Sequence, residues 1–249
     1  MGAVQGRAHA GNGLTGDPRR GACSGGNRPR ALPGNQGGEK EAIPQMTSFP
    51  SRDPLADHLI NPQNAALVVI DYQQNQFASV RSMDSDLLLE NVVSTAKLAQ
   101  LFGLPIVHST VGVAAGQDQS TVPELAKLLE DHPPIDRTTI NSWEDADFLA
   151  AVRATGRRKL ILCALWTEMC MAFMALDAMR EGYEVYPVVD AIAGTSGEAH
   201  RAGLERVTQA GAQPVSWVSL AGELQRDWAR VETVPGIVQI VFTDRLSTA

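Results

Sequence analysis

Cys170 is the side chain with the most reactive chemistry in the patterned part of this chain. It lies in TEMCMAFMALDAMREG (167–182), where apolar residues recur at helical spacing directly after the apolar run 160–165. Thr167 can serve as the N-cap of this helix, which places Cys170 in the first turn. Unpaired backbone N–H groups and the helix dipole favour an anion at that point, so the pattern predicts a thiol shifted toward the thiolate and a candidate nucleophile.

A packing role for Cys170 is the alternative, because an unpaired cysteine among methionine, alanine and phenylalanine is commonly a small core hydrophobe. Cys163 illustrates that role. It stands between Leu162 and Ala164 in the middle of an apolar run, with no helix terminus near it. The pattern therefore predicts one core cysteine and one candidate nucleophile.

Short apolar runs alternate with helical patterns from Pro62 onward, which predicts a three-layer α-β-α fold around a six-stranded parallel sheet. The predicted strands are 65–71, 104–110, 135–140, 157–165, 183–191 and 212–218. The predicted helices are 86–102, 122–130, 143–155, 167–182 and 196–211, followed by a helical stretch, 219–245, that Pro235 and Gly236 interrupt. One sheet of this size predicts a single domain.

Several polar side chains follow the predicted strands. In parallel sheets, ligands bind beyond the carboxyl ends of the strands, near the switch in strand order. The residues at those ends are Asp71, His108 to Thr110, Arg137, Cys170 and Asp190. Polar residues end strands in any α/β protein, so this pattern gives the place of a site and not its chemistry.

Composition limits the remaining possibilities. The chain has 249 residues and a net charge of −7, which gives no reason to expect a nucleic-acid partner. No apolar run reaches the roughly 18 residues of a membrane span, no secretory signal opens the chain, and the three cysteines form no zinc pattern. We expect a cytoplasmic protein. Residues 1–38 hold five Arg against one Asp and eleven of the 22 Gly, so 1–45 is predicted to be a disordered basic tail and 46–249 the folded domain.

Three segments resemble the signature blocks of the isochorismatase-like cysteine hydrolases. They are VVIDYQQNQF (68–77), DRTTINSWEDADF (136–148) and the stretch from Ala164 to Ser196, and the resemblance extends over about residues 54–230. It implies a Rossmann-like isochorismatase fold and a cysteine nucleophile, here Cys170, with Asp71 as the base. It also implies that the enzyme needs no cofactor.

The resemblance further implies a lysine between the base and the nucleophile, where this chain has Arg137. An arginine keeps the positive charge but cannot shuttle a proton. If the lysine acts only as a cation, Arg137 can replace it; if it must release a proton, the protein is slow or inactive. The next candidate, Lys127, lies on a surface-type helix.

A cis peptide at Leu165–Trp166 is also implied, with the backbone N–H groups of Trp166 and Cys170 forming an oxyanion hole. Nicotinamidases of the superfamily hold a metal with an Asp-x-His segment and a further histidine. The corresponding stretch here, 108–120, has the single histidine His108, so we expect no metal.

The walls of the substrate pocket are expected from residues that adjoin the motifs. We expect Phe77, Trp143, Thr167 and His108 there, although core packing explains any one of the aromatic residues equally well. His108 could alternatively pair with Cys170 in a thiol–imidazole dyad or be purely structural. His200 is a weaker candidate for such a pair, because it lies on an exposed-looking helix.

The expected function is hydrolysis of a C–N bond in a small amide through a covalent Cys170 intermediate. Two alternatives stay open: hydrolysis of a vinyl ether by an isochorismatase-type reaction, and a binding or scaffold protein that has lost turnover because of Arg137. The resemblance also implies a homo-oligomer. The apolar run IVQIVF (237–242) can form its interface or pack on its own subunit.

Overall fold

A computed structural model of the chain describes residues 53–244. The predicted tail, 1–45, lies outside this range, as does the beginning of the domain predicted from residue 46. Within the described residues, parallel strands alternate with helices. The predicted α/β class is therefore confirmed.

Within residues 53–244 the sheet has five strands, one fewer than predicted. The order is β3-β2-β1-β4-β5, and every pair is parallel. The six residues of β1 are all buried, as expected of a strand that helices cover on both sides. The strands are β1 (Ala65–Ile70), β2 (Ile106–Val111), β3 (Ile135–Arg137), β4 (Lys159–Ala164) and β5 (Glu184–Pro187).

Helices pack on both faces of the sheet, which gives the predicted three layers. Leu67 and Val69 of β1 belong to one core cluster, and Ala66, Val68 and Ile70 belong to the other, because successive strand residues point to opposite faces. The helices are α1 (Gln74–Ser79), α2 (Ser85–Leu101), α3 (Pro123–Leu128), α4 (Ala146–Ala154), α5 (Ala172–Arg180), α6 (Gly197–Gln209), α7 (Trp217–Gln225) and α8 (Val234–Val238). Buried residues of α2, α3 and α7 cover the first face, and those of α4, α5 and α6 cover the second.

The predicted sixth strand, 212–218, is replaced by a short extended segment. Val215 forms one parallel bridge with Val188, and the chain then turns into α7. Ser216 and Ser219 form a capping box at this point, so the backbone N–H groups that would continue a strand begin a helix instead. Of residues 212–218 only Ala212 and Trp217 are buried, and the predicted strand was wrong in type.

The C-terminal helices also differ from the expected pattern. Pro235 does not interrupt a helix but lies in the first turn of α8, where a missing N–H group costs nothing. A π-helical turn, Gln239–Thr243, follows α8. Among residues 53–244, no helix combines the length and the apolar character needed to cross a bilayer.

Candidate active site

The predicted site residues meet where the strand order switches. From β1 the chain moves outward to β2 and β3, then returns to pair β4 against the other side of β1. Asp71 follows β1 directly, and the turn that carries Cys170 follows β4. The two residues therefore lie beyond the carboxyl ends of adjacent strands, which is the usual position of a ligand site in such sheets.

Asp71 occupies an unusual backbone position. Its φ is +61°, and its side chain is fully buried. Aspartate tolerates this left-handed conformation better than most residues, but such positions outside glycine are uncommon and cluster at functional sites. The backbone N–H still donates to the carbonyl of Ser109, 3.0 Å away, which keeps Asp71 anchored to β2.

Arg137 ends β3 and reaches across β2 to Asp71. Its Nη2 atom lies 2.6 Å from Oδ2 of Asp71, and neither side chain is exposed. Its Nη1 atom donates to the backbone carbonyl of Thr139. A buried carboxylate is costly unless it is paired and hydrogen-bonded, so this guanidinium is what makes an ionised Asp71 tolerable in the core.

Gln73 was not predicted as a site residue, although it lies in the block VVIDYQQNQF. Its Oε1 accepts from the N–H of Val111 at 2.8 Å, and its Nε2 donates to the carbonyls of Val111, 3.1 Å, and Gln119, 2.8 Å. It is fully buried. These hydrogen bonds hold the chain just after Asp71 against the end of β2. The glutamine at this position of the block VVIDYQQNQF was the sequence feature that could have indicated this role.

Cys170 lies in a π-helical turn, Thr167–Met171, that leads into α5, and 7% of its surface is exposed. The predicted thiolate is wrong. Burial raises the pKa of the Cys170 thiol to about 12, the negative charge of Asp71 contributes to this rise, and Arg137 opposes both effects. Local reasoning about the helix terminus failed because desolvation and a facing carboxylate outweigh the helix dipole.

The pKa of Asp71 is raised from 3.8 to about 6, mainly by burial, while Arg137 and the neighbouring Cys170 thiol lower it. The thiol thus carries the proton in the free protein and faces a carboxylate that is mostly ionised at pH 7. Among residues 53–244, Oδ1 of Asp71 and Nε of Arg137 are buried and have no hydrogen-bond partner. The arrangement can transfer a proton from sulfur to oxygen when the sulfur attacks.

The predicted cis peptide between Leu165 and Trp166 is present. The Trp166 indole N–H points to α1, where it lies 2.8 Å from Oγ of Ser79. The oxyanion hole formed by the backbone N–H groups of Trp166 and Cys170 stays a prediction. Thr167 is not the N-cap that the sequence suggested, because its hydroxyl group pairs with Nδ1 of His200 at 2.8 Å.

His108 is held away from Cys170 by its own hydrogen bonds. Its Nδ1 lies 3.1 Å from the carbonyl of His132 and its Nε2 lies 2.9 Å from Oγ1 of Thr121, so both ring nitrogens are engaged. Burial lowers the pKa of His108, which favours the neutral ring. These contacts support the structural role and argue against the thiol–imidazole pair.

The two predicted aromatic pocket residues point in different directions. Phe77 on α1 packs against Tyr72, with ring centroids 5.8 Å apart, next to Asp71. The indole of Trp143 donates to Glu181 at 2.9 Å, just beyond the C-terminal end of α5, and packs against the ring of Tyr183. Trp143 shares a buried core cluster with Cys170, whereas Phe77 belongs to the cluster on the other face of the sheet.

The remaining polar candidates are engaged elsewhere. Asp190 accepts from the N–H of Trp217 at 2.9 Å and so helps to begin α7. Lys127, the alternative cation, is exposed on α3. Within residues 53–244, no three His, Cys, Asp or Glu side chains cluster in a way that could hold a metal ion.

The strand order and a buried polar site beyond the switch point define a doubly wound α/β protein with an enzyme-like site. Comparison with known protein families identifies the family to which the chain belongs. The family described as the isochorismatase domain matches residues 65–219, and the chain belongs to this family. A hydrolytic role follows from that membership.

The family resemblance is supported by individual relatives. The chain is 39% identical over 171 residues to "Probable hydrolase YcaC" of Escherichia coli (strain K12), which covers 68% of this chain and 81% of the relative. The structure of YcaC from Pseudomonas aeruginosa with hexane-2,5-diol and covalent acrylamide superposes with a TM-score of 0.71 at 33% identity, covering 77% of this chain and 95% of that one. The E. coli YcaC structure, described as an octameric hydrolase of unknown specificity, also gives a TM-score of 0.71, at 34% identity with 77% and 96% covered.

Proposed function

We propose that this protein is a cofactor-independent cysteine hydrolase that cleaves the C–N bond of a small amide. The observation that carries the proposal is the contact between three buried groups: the Cys170 thiol, the Asp71 carboxylate and the Arg137 guanidinium. A nucleophile, a base within hydrogen-bond reach and a group that orients the base are the parts that nucleophilic catalysis requires.

In the first half-reaction, the sulfur of Cys170 attacks the amide carbon while the thiol proton moves to Asp71. The carbonyl oxygen becomes an oxyanion, which the backbone N–H groups of Trp166 and Cys170 are proposed to stabilise. The C–N bond then breaks, the nitrogen takes the proton from Asp71, and the amine leaves. A thioester on Cys170 remains.

In the second half-reaction, Asp71 accepts a proton from water as the water oxygen attacks the thioester carbon. The C–S bond breaks, the carboxylic acid leaves, and the proton returns from Asp71 to sulfur. Arg137 takes no proton in either step. Its fixed charge keeps Asp71 able to ionise and lowers the free energy of a developing thiolate, which is why an arginine is sufficient in this scheme.

A covalent adduct in a relative supports the proposed nucleophile. YcaC from Pseudomonas aeruginosa contains covalently bound acrylamide. Acrylamide is an electrophile that reacts with thiolates, so a related protein presents a nucleophile that a small amide-bearing molecule can reach. We infer that Cys170 is the corresponding group in this chain.

Vinyl ether hydrolysis is the second candidate, and the raised pKa of Asp71 favours it. Vinyl ethers are cleaved by protonation of a carbon atom, and a carboxyl group with a pKa of about 6 can supply that proton. This reaction does not need the sulfur. The two candidates therefore differ in their dependence on Cys170.

Ammonia release from a panel of small primary amides tests the proposal. We expect hydrolysis of at least one amide by the wild type, at least a thousandfold loss in Cys170→Ala and near-normal activity in Cys163→Ala. Cys163 is a matched control, because it is also free and buried but lies in the middle of β4. Full amide turnover by Cys170→Ala would contradict the proposal. Vinyl ether cleavage that survives the same substitution would favour the second candidate.

We also propose a homo-oligomer, since the related E. coli YcaC is octameric. The run 237–242 packs partly on its own subunit, because Ile237 and Ile240 are buried, whereas Val238 and Phe242 are 41% and 53% exposed. Trp228 is also exposed and lines one apolar surface cavity together with Phe242. A contiguous exposed apolar patch of this kind is typical of a contact surface. A cytoplasmic location stays a prediction.

A further inference from the structure

The turn that carries Cys170 forms hydrogen bonds with α6 and with the loop that precedes α6. Oγ1 of Thr167 lies 2.8 Å from Nδ1 of His200, and Thr167 is fully buried. One residue further, Oε1 of Glu168 accepts hydrogen bonds from the backbone N–H of Thr195, at 3.0 Å, and from its hydroxyl, at 2.7 Å. Two consecutive residues of the turn are thus tied to α6 and to the residue before its N-cap, and the catalytic steps use neither tie.

Gly203 lets α6 approach the same turn at backbone distance. A Cβ at this position would lie 2.8 Å from the carbonyl oxygen of Thr167 and 2.8 Å from Cα of Glu168. Those neighbours are backbone atoms, so no change of side-chain rotamer could make room. His200 and Gly203 are three residues apart and share one face of α6. This face therefore sets the position of the turn.

Glu168 also packs against a second glycine. A Cβ at Gly194 would collide with Oε2 of Glu168 and would lie 3.1 Å from Cα of His200. Oε2 is buried and has no hydrogen-bond partner within the described residues. A buried polar atom without a partner costs free energy of folding. The close packing of Glu168 is therefore better explained by its effect on the position of the turn than by a gain in the stability of the fold.

We propose that Glu168 and His200 are positioning residues that fix the sulfur of Cys170 against Asp71. The proposal rests on the proposed function and adds residues that do not touch the reacting atoms. Glu168 and His200 act through the backbone of the turn, because Cys170 follows Glu168 by two residues. A displacement of about 1 Å at a reacting atom can lower a rate about a hundredfold, so loosening the turn should affect turnover more than binding.

Paired substitutions separate positioning from general support of the fold. Glu168→Ala removes the bonds to Thr195, whereas Glu168→Gln keeps the length and an acceptor oxygen. His200→Ala removes the partner of Thr167, whereas His200→Asn keeps a polar atom at a similar distance. Gly203→Ala pushes α6 away from the turn. Its matched control is Gly197→Ala in the same helix, where a Cβ meets no atom within 4 Å.

The measurements are kcat and KM on an amide that the wild type hydrolyses, the pH midpoint of Cys170 alkylation by acrylamide, and the thermal midpoint. For Glu168→Ala, His200→Ala and Gly203→Ala we expect kcat to fall at least tenfold with KM within threefold. We also expect the alkylation midpoint to fall, because a loosened turn exposes the thiol to water and moves it away from the Asp71 carboxylate. The conservative variants E168Q and H200N and the control G197A should stay within threefold of the wild-type kcat.

An unchanged kcat and alkylation midpoint in Glu168→Ala and His200→Ala, with only a lower thermal midpoint, would overturn the positioning role. If Gly203→Ala does not fold, the paired substitutions at Glu168 and His200 still decide the question. If Cys170→Ala retains amide hydrolysis, the proposed function fails instead. The alkylation midpoint then tests the positioning of the sulfur without reference to turnover.

Discussion

The ion pair between Arg137 and Asp71 gives the sharpest quantitative test of the site. Replacing Arg137 with methionine removes the charge while keeping most of the side-chain length. The Nη2 and Oδ2 atoms are 2.6 Å apart and both side chains are fully buried. With charge centres roughly 4 Å apart and an effective dielectric constant of about 20, the attraction is about 4 kcal/mol, or about three pKa units at most.

We therefore expect the pKa of Asp71 to rise from about 6 to between about 7 and 9 in Arg137→Met. At pH 7 between about half and nearly all of the carboxyl group would then be protonated and unable to accept the thiol proton. Amide hydrolysis should fall about twofold to a hundredfold at pH 7 and recover toward pH 9. Arg137→Lys keeps the positive charge, so the pKa of Asp71 in this variant should stay within about one unit of its wild-type value.

Carbon-13 NMR of aspartate side-chain carboxyl groups measures the Asp71 pKa without a substrate, and Asp71→Asn assigns the signal. The methionine variant should remain folded near neutral pH, because Asp71 can take up a proton instead of staying buried and unpaired. Its stability should fall as the pH rises through the new midpoint, since ionisation then leaves an uncompensated charge. A midpoint that stays near 6 in Arg137→Met would refute the electrostatic role assigned to Arg137.

Two further predictions concern the thiol and the assembly. Asp71→Asn removes a negative charge that raises the pKa of Cys170. Alkylation of Cys170 by acrylamide at pH 8 should therefore become faster, while amide hydrolysis should be lost. Slower alkylation would contradict the effect assigned to the Asp71 charge. If the exposed C-terminal face joins subunits, Phe242→Asp should reduce the molar mass measured by light scattering. Leu55→Asp, at another exposed position far away in the sequence, is the control and should leave the mass unchanged. An unchanged mass in Phe242→Asp would place the interface elsewhere.

The sequence was sufficient for the fold class and for proposing three candidate residues that the structure brings together. Asp71, Arg137 and Cys170 were placed at or just beyond the ends of three predicted strands, and the parallel order of the strands brings such positions to one edge of a sheet. The sixth strand could not be judged in the same way. An apolar run only requires burial, and the choice between strand and helix at Trp217 depends on the capping box of Ser216 and Ser219.

The protonation state of Cys170 was beyond local sequence reasoning. The helix-terminus argument uses neighbours in the chain, whereas the pKa of the Cys170 thiol is decided by burial in the packed core and then by the charges of Asp71, after β1, and Arg137, at the end of β3. The same limit explains His108 and Trp143, whose partners Thr121 and Glu181 are set by tertiary contacts. Positions could be inferred from local pattern, but the electrostatics required the packed structure.

The two raised pKa values constrain how the proposed reaction can proceed. Burial and the Asp71 charge raise the pKa of the Cys170 thiol far above that of the Asp71 carboxyl, so moving the proton before any attack is unfavourable. A free thiolate is not the resting state. The proton must therefore move as the C–S bond forms, and a substrate that places its carbonyl carbon at the sulfur supplies the remaining driving force.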